Sequence, residues 1–335
     1  MNEKINISVV GAGGWGTSIS YLLAHKDYNI KLWSFESEVV EDINNNRANS
    51  IYLKNAVLPE NITATNNLSE LNDSDLFVFA VPTQFIRSVL MKNELDLSNK
   101  PIVNLAKGIE IKSTLRVSEL FASLTNLPPE KYSIISGPSH AEEVFKKVPT
   151  AVVTASEDPE LAIMVQRIFS TEEFRVYTSN DVVGCEIGGS LKNVMAIAAG
   201  IIDGLQLGDN TKAALITRGL AEISRIGVAL GANPHTFNGL SGLGDLIVTC
   251  NSRHSRNRYV GEQIGKGLQL DNIVHQLRMV AEGVGTTQSA YHLAKLHLVD
   301  TPIIDQVYHI LFDNLPPSEA IKELMTRQSK KEWWW

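Results

Sequence analysis

Two cysteines, Cys185 and Cys250, occur in 335 residues. So few exclude a disulfide framework, and their spacing is not that of a metal site, which fits a reducing compartment and leaves no metal centre to expect. Long apolar runs are also missing. No stretch reaches about 18 uninterrupted apolar residues, and MNEKINISVV passes straight into a strand pattern without the apolar core of a signal peptide, so a cytoplasmic protein without stable membrane insertion is expected. Basic residues are outnumbered, 30 against 37 acidic, for a net charge of -7. That balance excludes a surface that neutralises nucleic-acid phosphates over a wide area; a phosphate must be held locally. Internal repeats and low-complexity linkers are absent. A 44% apolar, 20% charged chain is an ordinary globular one, and at about 150 residues per domain it holds about two. The one local excess is the tail, where Trp333, Trp334 and Trp335 follow Lys330 and Lys331. Such rings suit a membrane interface, or simply a frayed terminus with a small packing contact.

The apolar pattern falls into two halves. Strand-like runs at 5–10, 29–33, 76–81, 102–106, 133–136, 151–154 and 174–177 alternate with helix-like segments at 12–24, 85–91, 114–124 and 160–169. That alternation is the signature of a doubly wound α/β sheet, a Rossmann-type domain. Beyond it, helical periodicity dominates at 183–202, 212–230, 258–265, 286–296 and 303–312. The reading is a dinucleotide-binding domain over 1–180, a mostly α-helical substrate domain over 181–328 and a tail at 329–335, with a cleft between the two domains.

Directly after the first strand, Gly11-Ala12-Gly13-Gly14-Trp15-Gly16 matches G-x-G-x-x-G at the start of a helix. Gly11 permits the tight turn, Gly13 lets the backbone approach a pyrophosphate, and Gly16 lets helix and strand pack closely. The second strand runs into Trp33-Ser34-Phe35-Glu36. Either Glu36 accepts the ribose hydroxyls of NAD, or Phe35 takes that contact and Arg47 reaches a 2′-phosphate, so NAD and NADP stay equally open.

In the second half, Gly184, Gly188 and Lys192 share one helix face, which opens a groove for a neighbouring backbone or a ligand and projects a lysine from its end. That lysine is either a perturbed acid–base group or a solvated one. Asn238 to Leu246 is a glycine-rich turn that delivers Asp245 to a helix start, where an N-cap role competes with a functional one. Ser252-Arg253-His254-Ser255-Arg256-Asn257-Arg258 opens another helix, as a phosphate site or as a basic turn.

Seven motifs in order, GAGGWG, VPTQ, AKGIE at 106–110, SGPSHAEEV at 136–144, SLKNV at 190–194, GLGDL at 242–246 and SRNR at 255–258, resemble the bacterial-type NAD(P)-dependent glycerol-3-phosphate dehydrogenase family up to about residue 325. The resemblance implies hydride transfer between NAD(P)H and C2 of dihydroxyacetone phosphate, giving glycerol 3-phosphate for glycerophospholipid synthesis, in a homodimer. It implies that Lys192 exchanges the proton on the C2 oxygen, that Asp245 orients Lys192, and that Lys107 contacts substrate together with Gly137 and Ser139. Asn193 would hold a substrate hydroxyl, and Ser255, Arg256 and Asn257 the phosphate. Gly14, Trp15, Phe35, Lys107, Ala141, Arg256, Val280 and Glu282 would line the cofactor. Two features depart from the family: His140, where an apolar residue is usual, and the tryptophan tail. Alternatives are another β-hydroxyacid or sugar-acid dehydrogenase, which would need a carboxylate site, and a non-catalytic NAD(P)-binding module, which would need none of Lys192, Asp245 and Arg256 together.

Overall fold

The computed structural model describes residues 5–277, 280–329 and 331–332, so Trp333, Trp334 and Trp335 lie outside the described residues. The unbroken apolar runs become central strands. β1 (Asn6–Val10) and β4 (Leu76–Phe79) are buried on both faces, as strands covered by helices on either side must be. With β2 (Asn29–Trp33), β3 (Ile62–Thr65), β5 (Ile102–Asn104), β6 (Tyr132–Ser136), β7 (Thr150–Ser156) and β8 (Phe174–Ser179) they form one sheet, ordered β3-β2-β1-β4-β5-β6-β7-β8.

Helices cover both faces. α1 (Gly14–Ala24), α2 (Ser37–Asn46) and α6 (Pro159–Phe169) bury Ile19, Leu23, Val39, Ile43, Val165 and Phe169 against one. α3 (Thr83–Leu90) and α4 (Val117–Thr125) bury Ile86, Val89, Leu120 and Phe121 against the other. Pairing is parallel from β3 through β6 and between β7 and β8, but antiparallel between β6 and β7. The connection there holds only α5 (Ala141–Phe145), five residues long, which turns the chain back at the strand end instead of carrying it across a face.

The helical half comprises α7 (Val182–Gly204), α8 (Asp209–Ala229), α9 (Asp245–Asn251), α10 (Arg256–Gly265), α11 (Leu270–Gln276), α12 (Glu282–Leu296), α13 (Pro302–Phe312) and α14 (Pro317–Met325). α7 is its axis. It is long and apolar enough to cross a membrane, but that window is wholly buried inside the protein, so it reads as a core helix. Its glycines let other backbones touch it. A Cβ on Gly188 would lie 2.5 Å from Ser241 O, and one on Gly200 would lie 1.9 Å from Arg258 O. Facing them on α10, a Cβ on Gly261 would lie 1.9 Å from Ile197 O. Each helical glycine costs about 1 kcal/mol of intrinsic propensity, and here that cost allows side-chain-free crossings. The groove expected along Gly184 and Gly188 is therefore filled by the chain itself, by Asp181 and Thr236 at Gly184 and by the π-helical turn Leu240–Gly244 at Gly188, and is not left for a ligand.

Several elements escape the apolar pattern for a common reason. α2 buries only Val39 and Ile43, α11 only Ile273 and α14 only Ala320, too few to mark a helical stripe. The strand expected over 102–106 stops at Asn104, whose side chain bonds both the N–H and the carbonyl of Ala106 and turns the chain. The helix expected over 114–124 starts at Val117, because Thr114 is left-handed at φ 59° and the Glu119 carboxylate caps the Arg116 N–H at 2.9 Å.

Candidate active site

The first glycine of the fingerprint has φ 116°, and its N–H donates to Trp33 O at 3.0 Å, so the turn is locked to the end of β2. A Cβ on Gly16 would lie 1.9 Å from Gly11 O, which makes that glycine obligatory for strand and helix to approach. Gly13 differs. Nothing lies within 4 Å of the place a Cβ on it would take, so it faces open space at the head of α1. The first N–H groups of α1, at Gly14, Trp15 and Gly16, point into that space without intrahelical partners, as at any helix start. These residues fit a dinucleotide pyrophosphate. Ser18 Oγ donates to Ala141 O at 2.8 Å and brings α5 alongside.

Buried charged groups gather where the ends of β5 and β6 meet α7 and α9. Lys107, just past β5, donates to Gly137 O at 2.8 Å, to Ser139 Oγ at 3.4 Å and to Asp245 Oδ2 at 2.7 Å. Lys192, on α7, donates to Asp245 Oδ1 and to Thr249 Oγ1, the latter at 3.0 Å. Asn193 Nδ2 donates to Lys107 O at 3.0 Å. One buried carboxylate from α9 thus lies between two ammonium groups, one from each domain. Burial lowers the Lys192 pKa to about 8, with Lys107 adding to the fall and Asp245 opposing it. Burial pushes the Asp245 carboxyl upward, but the two lysines outweigh it and hold it below its usual range. A solvated Lys192 and an Asp245 that serves only as an N-cap are both ruled out by this arrangement.

The basic segment sits beside α12. Arg256 is exposed, with Nη1 donating to Val280 O at 2.8 Å. Asn257 Oδ1 accepts from Gly283 N at 2.9 Å, and Ser255 Oγ caps α10 by accepting from Arg258 N at 3.2 Å. Arg258 is engaged by Asp203 and Glu262. Glu282 accepts from Thr83 N at 3.0 Å and so joins α12 to the first residue of α3. Its carboxyl is raised by burial.

Sequence reasoning missed three contributors. Thr249 lies one helical turn beyond Asp245, the spacing that would have pointed to it. Thr83 lies inside the VPTQ motif. Asn49 holds the fingerprint from behind, donating to Ala12 O at 2.9 Å and Thr17 Oγ1 at 2.8 Å. Phe35 is 76% exposed at the end of β2, apart from the lysine–aspartate contact. Buried polar atoms without a partner among the described residues include Trp15 Nε1, His140 Nε2 and the hydroxyls of Thr83 and Thr286 that flank Gly108. Such atoms suit a cleft built for a polar ligand. The His140 ring lies 5.9 Å from that of His254, and burial, then Lys192, holds its pKa below the ordinary value.

A dinucleotide cradle on one domain, facing a buried lysine of tuned acidity on a helical one, is the construction of a nicotinamide-dependent dehydrogenase. The sequence matches the family model for the NAD-dependent glycerol-3-phosphate dehydrogenase N-terminus over residues 6–162 and that for the C-terminus over 181–322. The chain belongs to that family. It is 48% identical over 339 residues, covering 100% of both chains, to the glycerol-3-phosphate dehydrogenase [NAD(P)+] of Geobacter sulfurreducens. It is 49% identical to that of Chlorobium phaeobacteroides, over 98% of this chain and 99% of the relative. The crystal structure of glycerol-3-phosphate dehydrogenase from Coxiella burnetii superposes with a TM-score of 0.92 at 36% identity, covering 97% of this chain and 99% of that one.

Because Gly13 faces open space, Gly13→Val is expected to fold normally while its isopropyl group fills the pyrophosphate position. Cofactor titration by tryptophan fluorescence should show affinity lowered by at least about tenfold with an unchanged circular dichroism spectrum. Unchanged affinity would remove the cradle from this loop.

Proposed function

We infer that the chain interconverts dihydroxyacetone phosphate and glycerol 3-phosphate with NAD(P)(H), and that the observation carrying this is the Lys107–Asp245–Lys192 contact. A bound nicotinamide supplies the hydride to C2 in the reducing direction. Lys192 Nζ then gives its proton to the C2 oxygen, and a lysine with a pKa near 8 is suited to giving and regaining a proton close to neutrality. Lys107 adds positive charge where alkoxide character develops, and Gly137 and Ser139 fix its ammonium group. Asp245 keeps both lysines in place. Asn193, anchored through its Nδ2, keeps its amide oxygen for a substrate hydroxyl.

Arg256, with Asn257 Nδ2 and the Ser255 hydroxyl, binds the phosphate, and binding energy from that remote group fixes C2 in register. Gly11, Gly13, Gly14, Trp15, Gly16, Phe35, Ala141, Val280 and Glu282 hold the cofactor, the last two from the helical side. The division falls near residue 180, between β8 and α7, so that each half supplies one wall of the cleft. The apolar cores on the two sides of that point support it.

A coupled assay should show oxidation of reduced cofactor with dihydroxyacetone phosphate and little with dihydroxyacetone. Arg256→Ala should lower kcat/KM for the phosphorylated substrate by at least about tenfold, the equivalent of losing a charge-assisted hydrogen bond of about 1.5–3 kcal/mol, and scarcely change that for dihydroxyacetone. A retained preference for phosphate would move the anchor elsewhere. A cytoplasmic homodimer belongs to the same reading and is supported by the family resemblance; light scattering at twice the 36.9 kDa chain mass agrees with it, and a single chain mass contradicts it.

A further inference from the structure

We propose that this chain selects NAD(H) against NADP(H), and that Glu36, held in place by Tyr52, is the residue that selects. The inference rests on the dinucleotide reading of the fingerprint and extends it to the 2′ position of the adenosine ribose. In a doubly wound domain that position lies at the end of the second strand, where a carboxylate accepts the ribose hydroxyls and a nearby cation accommodates a 2′-phosphate. From sequence, Glu36 and Arg47 compete for that place. The structure separates them.

Glu36 follows β2 by three residues, and both of its carboxylate oxygens are fixed. Tyr52 Oη donates to Oε1 at 2.6 Å and Ser34 Oγ donates to Oε2 at 2.9 Å. Tyr52 is itself tied to the fingerprint: Asn49 Oδ1 accepts from its N–H at 3.3 Å, while Asn49 Nδ2 donates to Ala12 O and Thr17 Oγ1. A continuous line of hydrogen bonds therefore runs from the pyrophosphate turn to the Glu36 carboxylate. Burial favours the neutral acid there, but the bonds from Tyr52 and Ser34 outweigh it and keep the group ionised. The Tyr52 phenol, pushed up to about 12 by burial and by Glu36, stays a donor. A carboxylate oxygen accepts more than one hydrogen bond, so Glu36 retains capacity for the ribose 2′ and 3′ hydroxyls.

The cations are placed otherwise. Arg47 Nη1 donates to Ile62 O at 2.8 Å, which commits the guanidinium to the start of β3. Lys92 Nζ stands 5.8 Å from the Trp33 ring centre and 6.0 Å from that of Phe35. Trp33 belongs to the sheet face covered by α3 and α4, whereas Tyr52 packs on the opposite face. The other charged group acting on Tyr52 is Glu38, a second carboxylate. A 2′-phosphate would thus bring its two negative charges against fixed acid, with Arg47 bonded to β3 and Lys92 over the rings of Trp33 and Phe35, while a 2′-hydroxyl finds an acceptor.

The test is direct binding, independent of turnover. Dissociation constants for NADH and NADPH are measured by calorimetry on the wild-type chain and on Glu36→Gln, Tyr52→Phe and Lys92→Ala. The wild type should bind NADH at least about tenfold more tightly than NADPH, and Glu36→Gln should reduce that ratio by about tenfold, with NADPH binding improved or unchanged. Tyr52→Phe, which frees the carboxylate without removing it, should lower the ratio by less, and Lys92→Ala should leave it unaltered. Equal or tighter binding of NADPH by the wild type overturns the proposal, as does a ratio indifferent to Glu36→Gln. A ratio that moves only with Lys92→Ala would assign selection to that lysine. Failure to bind either dinucleotide would instead strike the fingerprint reading itself, and this inference with it.

Discussion

A single buried carboxylate shared by two lysines is the constraint around which the rest is arranged. Asp245 is 1% exposed, and removing a charge of that kind from water costs several kcal/mol unless opposite charge lies close by. Lys107 and Lys192 provide it, with one more positive charge than the carboxylate can balance. Burial, with that surplus adding to it, makes Lys192 willing to release a proton near pH 8, whereas an exposed lysine holds it beyond pH 10. The contact also joins the halves of the molecule, because Lys107 follows a strand of the sheet while Lys192 and Asp245 sit on α7 and α9.

The glycines of α7 follow from the same requirement. For Asp245 to reach Lys192, the turn before α9 must lie directly against α7, and Gly188 permits that by offering no side chain to Ser241 O. One face further along, Gly200 and Gly261 bring α10 into backbone contact, which sets Arg256 and Asn257 beside the start of α12. Glu282 on that helix then accepts from the Thr83 N–H at the start of α3. Close backbone crossings thus set the positions of Lys192, Asp245, Arg256, Asn257 and Glu282.

Much of this was legible in the sequence where local chemistry was unambiguous. The apolar run at 76–81 read as a strand covered on both faces and becomes β4 over Leu76–Phe79, and Gly11 and Gly16 have the turn and packing roles that their spacing suggests, while Gly13 faces open space. Spacing alone marked Lys192 and Asp245 as separate residues and only the family resemblance paired them, since a separation of 53 in sequence is closed by the tertiary crossing of α7 and α9. For the same reason the sequence left the Gly184–Gly188 face open to either a ligand or a backbone, whereas Ser241 lies against Gly188 and Asp181 and Thr236 against Gly184. The antiparallel pairing of β6 with β7 was not read, although the sequence marked no helix between the strands at 133–136 and 151–154; α5, with five residues, is too short to show a helical stripe. The Arg47 and Glu36 alternatives were separated by long-range hydrogen bonds to Ile62 and Tyr52, for which sequence spacing holds no signal.

The central claim is that burial lowers the Lys192 pKa and that Asp245 limits the fall, and the pH profile of ketone reduction reads it most directly. With the wild type, kcat/KM for dihydroxyacetone phosphate should fall as pH rises through about 8, as the proton on Lys192 is lost. Asp245→Asn removes the negative charge that raises the Lys192 pKa and leaves Lys107, which lowers it, so the fall should move to lower pH by about one unit or more. A profile in Asp245→Asn that coincides with the wild type would contradict the account.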